Sequence, residues 1–362
     1  MKVAIVRQRY SPYGGAERIV ARALPALERA GAQVTLISRA EGGWGARHVL
    51  RVNPIYFGNL WRDWSFARAA RAAWRREGFD LVQSHERIPG CDVYRAGDGV
   101  HRRWLEVRRS AAPALERLGI SLNPYHAYVC KAEKHMLEHP RLRAVICNSK
   151  MVRDEIQRGF RVAPEKLHII YNGVDLEHFH PRRREALREP ARAEIGCGPR
   201  DLVFLFVGSG FSRKGLDAAI AAVSRTPYWL LVVGNDTFKG VAGERIRFLG
   251  GKDDVRPYYA AADCFLLPTR YDPFPNTVLE AMAMGLPAIV SARCGAAEIV
   301  EHGVNGWICQ PDDVAGICEL MHKAAVGMNS LKMTQAARAT AERFGIDAMA
   351  GKLADLYKNL TS

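Results

Sequence analysis

Short runs of Val, Ile and Leu recur along the chain, and the stretches between them carry apolar positions at helical spacing. The runs are VAIV at 3–6, VTLIS at 34–38, DLVQS at 80–84, AVICNS at 144–149, LVFLFVGS at 202–209, WLLVVG at 229–234, CFLLPT at 264–269 and PAIVSA at 287–292. Strands that are apolar throughout, rather than alternating, belong to parallel sheets covered by helices on both faces. The pattern pauses between Pro164 and Pro199, where IIYNGVD leads into HFHPRRREALREPARAE before a fresh strand begins. That break reads as an interdomain linker between two doubly wound, Rossmann-like α/β lobes. After Asp313 the pattern is helical as far as GIDAMAGKLADLYKNL. The expected division is a lobe over 1–170, a second over 171–340, and a terminal helix over 341–362 returning to the first.

A length of 362 residues agrees with two lobes rather than one. Open α/β sheets bind ligands beyond the carboxyl ends of their strands, so a cleft between the lobes would collect loops from both. Chemistry is therefore expected just after strands.

Charge adds a constraint. Against 38 Asp and Glu stand 52 Lys and Arg, a net charge of +14, so the surface attracts polyanions, whether phosphorylated substrates, nucleic acid or an anionic bilayer. The apolar run before Arg7 is too short for a signal peptide, and no stretch approaches the ~18 apolar residues of a spanning helix. The expectation is a cytoplasmic protein that touches the inner face of a membrane only peripherally. The eight cysteines show no CxxC pair or metal-ligand spacing, and read as reduced core residues rather than disulfides or a zinc site.

Two segments in the second half carry candidate chemistry. After CFLLPT comes RYDPFPNTVLEAMAMGLP, in which Asn276 or Thr277 can cap a helix that Gly285 ends. The free amides of its first turn, at Asn276, Thr277 and Val278, suit a phosphate, and Glu280 lies about one turn inside, where it can accept from ribose hydroxyls. The other segment is VGSGFSRKG at 207–215: Gly208 lets the backbone approach a ligand, and Arg213 and Lys214 put two positive charges where a diphosphate would sit. No Asp-x-Asp metal motif accompanies them; Asp253-Asp254 and Asp312-Asp313 are adjacent pairs.

These segments resemble glycosyltransferase family four, which has the GT-B fold. The family's Glu-x7-Glu motif matches Asp272 to Glu280 with its spacing kept and Asp as the first acid, and its G-x-x-x-x-K/R-K-G loop matches 207–215. RFLGGKDDVRPYYAAAD at 247–263, with Gly250 beside the nucleobase, and CGAAEIVEHGVNGW at 294–307 follow in the family's order. The resemblance implies a retaining glycosyltransferase in which Asp272 meets the transferred sugar. Arg213 and Lys214 would neutralise the departing diphosphate, so that neither metal nor other cofactor is expected.

In the first half, YSPYGGAERIV, with Gly14 and Gly15, and SHERIPGCDVYRAGDGV at 84–100 are similar to the lipopolysaccharide core glucosyltransferases of that family. By that resemblance Gly14 and Gly15 lie at the donor or acceptor, Asp98 serves the acceptor hydroxyl, Asp92 is structural, and His85 is the rival to Asp98. Residues 101–143 hold nine Lys or Arg against four acids, with Trp104, Tyr125 and Tyr128 among them, and WRDWSFARAARAAWRR at 61–76 adds Arg68, Arg71 and Arg75 beside Trp61, Trp64 and Trp74. Such a belt suits an anionic membrane surface. The expected partners are a nucleotide sugar, UDP-glucose by the resemblance, and a lipid-linked oligosaccharide acceptor. Two other readings compete: a sugar-nucleotide 2-epimerase of the same fold, and a polyanion-binding protein without catalysis. No nucleic-acid-binding motif is present, and acids interrupt the basic residues throughout.

Overall fold

The computed structural model describes residues 1–9, 24–25, 27–29, 31–40, 48–240, 243–327 and 331–361. The chain divides into two compact units, Met1–Tyr171 with Asp347–Ser362, and Asn172–Ile346.

The first unit is built on a seven-stranded parallel sheet. Its strands are β1 (Lys2–Val6), β2 (Gln33–Ser38), β3 (His48–Arg51), β4 (Leu81–Ser84), β5 (Val93–Arg95), β6 (Ala144–Cys147) and β7 (Leu167–Ile169), in the order β3-β2-β1-β4-β5-β6-β7. The order reverses between β1 and β4, which pair from Val3 and Leu81 through Val6 and Ser84. Val82, Val145, Phe66, Trp74 and Ile156 pack together in its core. The helix Ile346–Thr361 closes this unit, burying Leu353, Leu356 and Tyr357.

The second unit has a six-stranded parallel sheet: β8 (Val203–Val207), β9 (Trp229–Val233), β10 (Ile246–Gly250), β11 (Cys264–Leu267), β12 (Ala288–Ser291) and β13 (Gly306–Cys309), in the order β10-β9-β8-β11-β12-β13. Phe204, Leu205 and Phe206 are wholly buried, each contributing about 1.5–3 kcal/mol from apolar burial. Here the order reverses between β8 and β11, which pair at only two positions, Phe204 with Cys264 and Leu205 with Phe265. Beyond them the strands part.

The apolar runs locate eight of these strands. β3, β5, β7, β10 and β13 are short or mixed in polarity, as in VYR of β5 and IRFLG of β10, and do not stand out as apolar runs. The stretch read as a linker holds a helix, Pro181–Ile195, within the second unit. Arg184, Arg188 and Arg192 recur every four residues on it; all three approach Asp263 and donate to carbonyls at the end of the helix Arg256–Ala261. Three guanidiniums against one carboxylate and a negative helix terminus explain the charge density of this segment. All eight cysteines are free thiols.

Candidate functional site

In an open α/β sheet the natural binding crevice lies where the strand order reverses. In the second unit that point is the gap between the ends of β8 and β11. Gly208 follows β8 with φ of +149°, and a Cβ there would come within 2.7–3.0 Å of the Lys214 side chain. Glycine is required because Lys214 lies across this residue. From there Lys214 Nζ donates to Asp272 Oδ2 at 3.0 Å, and both residues are buried.

The short helix Phe211–Lys214 is fixed from several sides. Asp236 accepts from the amide of Phe211 at 3.0 Å, and the amides of Phe211 and Thr237 hold the Asp236 carboxyl below its ordinary value. The carbonyl of Arg213 accepts from the Arg270 amide at 2.9 Å and the Thr269 hydroxyl at 3.0 Å. Gly215 sits so close to the Pro268 carbonyl that a Cβ would stand 2.1 Å from its oxygen. Arg270 reaches the Ser212 carbonyl, Asp217 and Asp312. In contrast, the half-buried Arg213 guanidinium has no hydrogen bond or ion pair among the described residues. One cation of the pair is positioned and the other is available.

The helix Asn276–Ala283 begins after Pro275 with no side-chain cap. The expected cap is not made because Pro275 holds the cap position and Asn276 lies inside the first turn, where its Oδ1 accepts from Asn172 Nδ2 at 2.7 Å; Asn172 also donates to the Phe274 carbonyl at 3.0 Å. The Thr277 hydroxyl is buried with no hydrogen-bond partner among the described residues. Uncapped first-turn amides beside an unsatisfied hydroxyl form a donor-rich site of the kind that holds phosphate. Val278 offers less: its side chain is wholly buried and its amide donates to the Pro275 carbonyl at 3.2 Å. Glu280 is buried and accepts from the Tyr259 hydroxyl at 3.0 Å. Gly250 ends β10 in the left-handed region, φ of +70°, and its carbonyl accepts from Gly234. Asn172, Tyr259 and Arg270 were missed in the sequence; the NGVD following IIY was the available signal for Asn172.

In the first unit the reversal point lies between β1 and β4. Arg7 follows β1, and its guanidinium stands 3.6 Å from both Glu86 Oε1 and Asp98 Oδ2. Asp98 is half exposed and His85 is buried. Burial first, then the charges of Arg7 and Arg95, drive the His85 pKa well below its ordinary value, although Asp98 opposes them. Burial also raises the Glu86 pKa. Asp92 accepts from the Val82 amide at 2.9 Å and from Arg141 at 3.2 Å, bracing the sheet. Gly14 and Gly15 lie outside the described residues.

The basic aromatic segments of this unit come together where Tyr125 donates to Asp63 at 2.9 Å. Ile55, Phe57 and Leu115 are each at least 85% exposed, and Trp61, Trp64, Leu118 and Leu122 are exposed too. Trp74 belongs to the core instead. Part of the belt's charge is spent in ion pairs, Arg103 with Glu106 and Arg108 with Glu116. Among the described residues no helix is long and apolar enough to cross a membrane, and no group of three His, Cys, Asp or Glu side chains is placed to hold a metal ion.

Comparison with known proteins assigns the family and the fold. Residues 13–178 match the family described as Glycosyltransferase Family 4, and residues 201–325 match Glycosyl transferases group 1. The lipopolysaccharide glucosyltransferase WaaG of Escherichia coli is 26% identical over 98% of both chains. A D-inositol 3-phosphate glycosyltransferase of Streptomyces bingchenggensis is 26% identical over 81% of this chain and 70% of its own. A crystal structure of WaaG superposes with a TM-score of 0.83 at 23% identity, covering 98% of this chain and 99% of that one. HepE of Anabaena, solved with UDP-glucose, gives 0.74 at 20% identity, over 99% of this chain and 100% of its own. With both halves matched in order and the whole fold shared, the chain belongs to glycosyltransferase family four and has the GT-B fold.

Proposed function

We propose that this glycosyltransferase moves a hexose, glucose from UDP-glucose, onto the inner core of lipopolysaccharide or a similar membrane-linked acceptor, with retention of configuration and without a metal. The carrying observation is the buried Lys214–Asp272 pair at the switch point of the second unit, with unpartnered Arg213 on the same short helix as Lys214 and uncapped amides at Asn276 and Thr277 opening the helix that follows Asp272 in the chain. These donors supply the positive charge that a departing diphosphate needs. The sugar and acceptor come from the likeness to WaaG and from the UDP-glucose held by HepE.

In this reading Asp272, tethered by Lys214, faces the sugar, and Glu280 accepts from the ribose. The acceptor oxygen bonds to the anomeric carbon on the face from which the phosphate oxygen leaves. The acceptor proton passes to that phosphate oxygen, so no enzymic nucleophile is required. Asp98, or His85 in its place, orients the acceptor. Catalysis rests on positioning and charge.

The exposed apolar residues Ile55, Phe57, Trp61, Trp64, Leu115, Leu118 and Leu122, in the unit that also carries Arg102, Arg103 and Arg108, support attachment to the inner face of a cytoplasmic membrane.

Incubation with a panel of nucleotide sugars, with and without truncated core lipid, tests the reading through nucleoside diphosphate release. Acceptor-dependent release from UDP-glucose, undiminished in excess EDTA, is expected. A loss that Mg²⁺ restores overturns metal independence, and release from another nucleotide sugar alone overturns the donor.

A further inference from the structure

A buried hydrogen-bond chain in the first unit runs from the terminal helix to the switch point. The Tyr357 hydroxyl donates to Gln83 Oε1 at 2.7 Å, and Gln83 Nε2 lies 3.0 Å from His85 Nε2. All three residues are buried, Tyr357 completely. In the orientation the structure gives the Gln83 amide, its oxygen accepts from the Tyr357 hydroxyl. The amide nitrogen then faces the imidazole, and because it only donates, His85 Nε2 must accept.

We propose that Tyr357 and Gln83 are positioning residues that hold His85 with its proton on Nδ1, so that the ring presents an N–H donor from the end of β4. The functional half of this inference rests on the reading that His85 serves the reacting face. Nδ1 has no hydrogen-bond partner among the described residues. The charged groups that act on the ring are Arg7 beyond β1, Arg95 of β5 and Asp98 in the following loop. Both arginines oppose a second proton, and burial opposes it more strongly. Burial also raises the Tyr357 pKa, which keeps its hydroxyl a donor. Sequence reasoning had no route to this arrangement, since residues 83 and 357 are 274 positions apart.

Protein labelled with ¹⁵N at histidine tests the tautomer directly through multiple-bond ¹H–¹⁵N spectra, with His85→Ala identifying the signal. The Nδ1–H pattern is expected between about pH 6 and 8. Gln83→Glu puts an acceptor-only carboxylate opposite Nε2 and is expected to move the proton there. Tyr357→Phe frees the amide to turn and is expected to give a mixture. In both variants kcat is expected to fall about tenfold or more with the donor KM unchanged, the mark of a misplaced proton. A wild-type ring protonated at Nε2, or a Gln83→Glu ring still protonated at Nδ1, overturns the inference. If the tautomer moves as expected and kcat does not, the assigned hold on the ring stands and the placing of His85 at the reacting face is overturned.

Discussion

The two units share a parallel doubly wound sheet but use its reversal point differently. In the first, β1 and β4 stay paired to their ends, and the amide of His85 extends the ladder to the Val6 carbonyl. The groups there are a neutral imidazole and carboxylates gathered on Arg7. In the second, β8 and β11 part after two pairs, and the opened space takes a lysine across a glycine onto an aspartate. A zipped reversal point orients a few side chains at its rim, whereas a split one admits a charged side chain into its floor. The split form suits a leaving diphosphate; the zipped form suits a hydroxyl that needs orientation more than charge.

The contrast breaks most readily at Lys214. Lys214→Ala is expected to lower kcat by about 10³-fold or more, since contacts to developing charge are worth a few kcal/mol. It also strands Asp272, which costs about 3–5 kcal/mol for a buried carboxylate without its partner. Adding Asp272→Asn is expected to recover much of the melting temperature but not the turnover. If the double variant recovers turnover as well, Lys214 acts only as structure.

Gly208→Ala should have the next largest effect. Its Cβ would collide with the Lys214 stem, and a displacement of about 1 Å at a catalytic group costs about 100-fold. Normal kinetics in this variant would show that Lys214 need not lie where it does.

Arg213→Ala sharpens the division of labour between the two cations. With no partner to strand, it is expected to leave thermal stability within about 0.5 kcal/mol while weakening donor binding and turnover. A large stability loss with normal turnover would assign Arg213 to the fold.

On the acceptor side, Asp98→Asn is expected to reduce transfer while sparing donor binding measured by calorimetry. The exchange of Asp98 and His85 follows if His85→Ala is the more damaging of the two.

The smallest effect concerns pH. His85 has a folded pKa lower than its unfolded value near 6.5, so the unfolded chain takes the proton first and stability falls as pH drops below about 6.5. From pH 6.5 to 5, wild type is expected to lose more stability than His85→Gln in urea titrations. Parallel curves would show that the ring is not buried neutral.

How much was legible follows the same contrast. The candidate site of the second unit was readable because its residues lie in two short segments, 207–215 and 270–285, each beside an apolar strand. Glycine spacing and the Asp272–Glu280 interval survive in one dimension. What escaped there were groups that act from elsewhere: Asn172 from before the charged helix, Tyr259 from a neighbouring one, and Arg270, whose three partners lie 42 to 58 positions away. The cap expected of Asn276 failed because the helix begins at Asn276 itself, leaving Pro275 at the cap position. In the first unit Asp98 was named with His85 as its rival, but the burial of His85 and the fields of Arg7 and Arg95 that act on it are not written in the local pattern. The runs also passed over β5, three residues long yet central in its sheet.

The placement of Tyr357 has a consequence for biosynthesis. The first unit needs the helix Ile346–Thr361 to finish its core, yet the ribosome must make the whole of the second unit before that helix exists. At about 5–20 residues per second, the sheet that ends at β7 waits roughly 10–40 s for its last element. During that interval the surface that Leu353, Leu356 and Tyr357 will cover lacks its last element, so the nascent chain carries an unfinished apolar face while the later half is still being made.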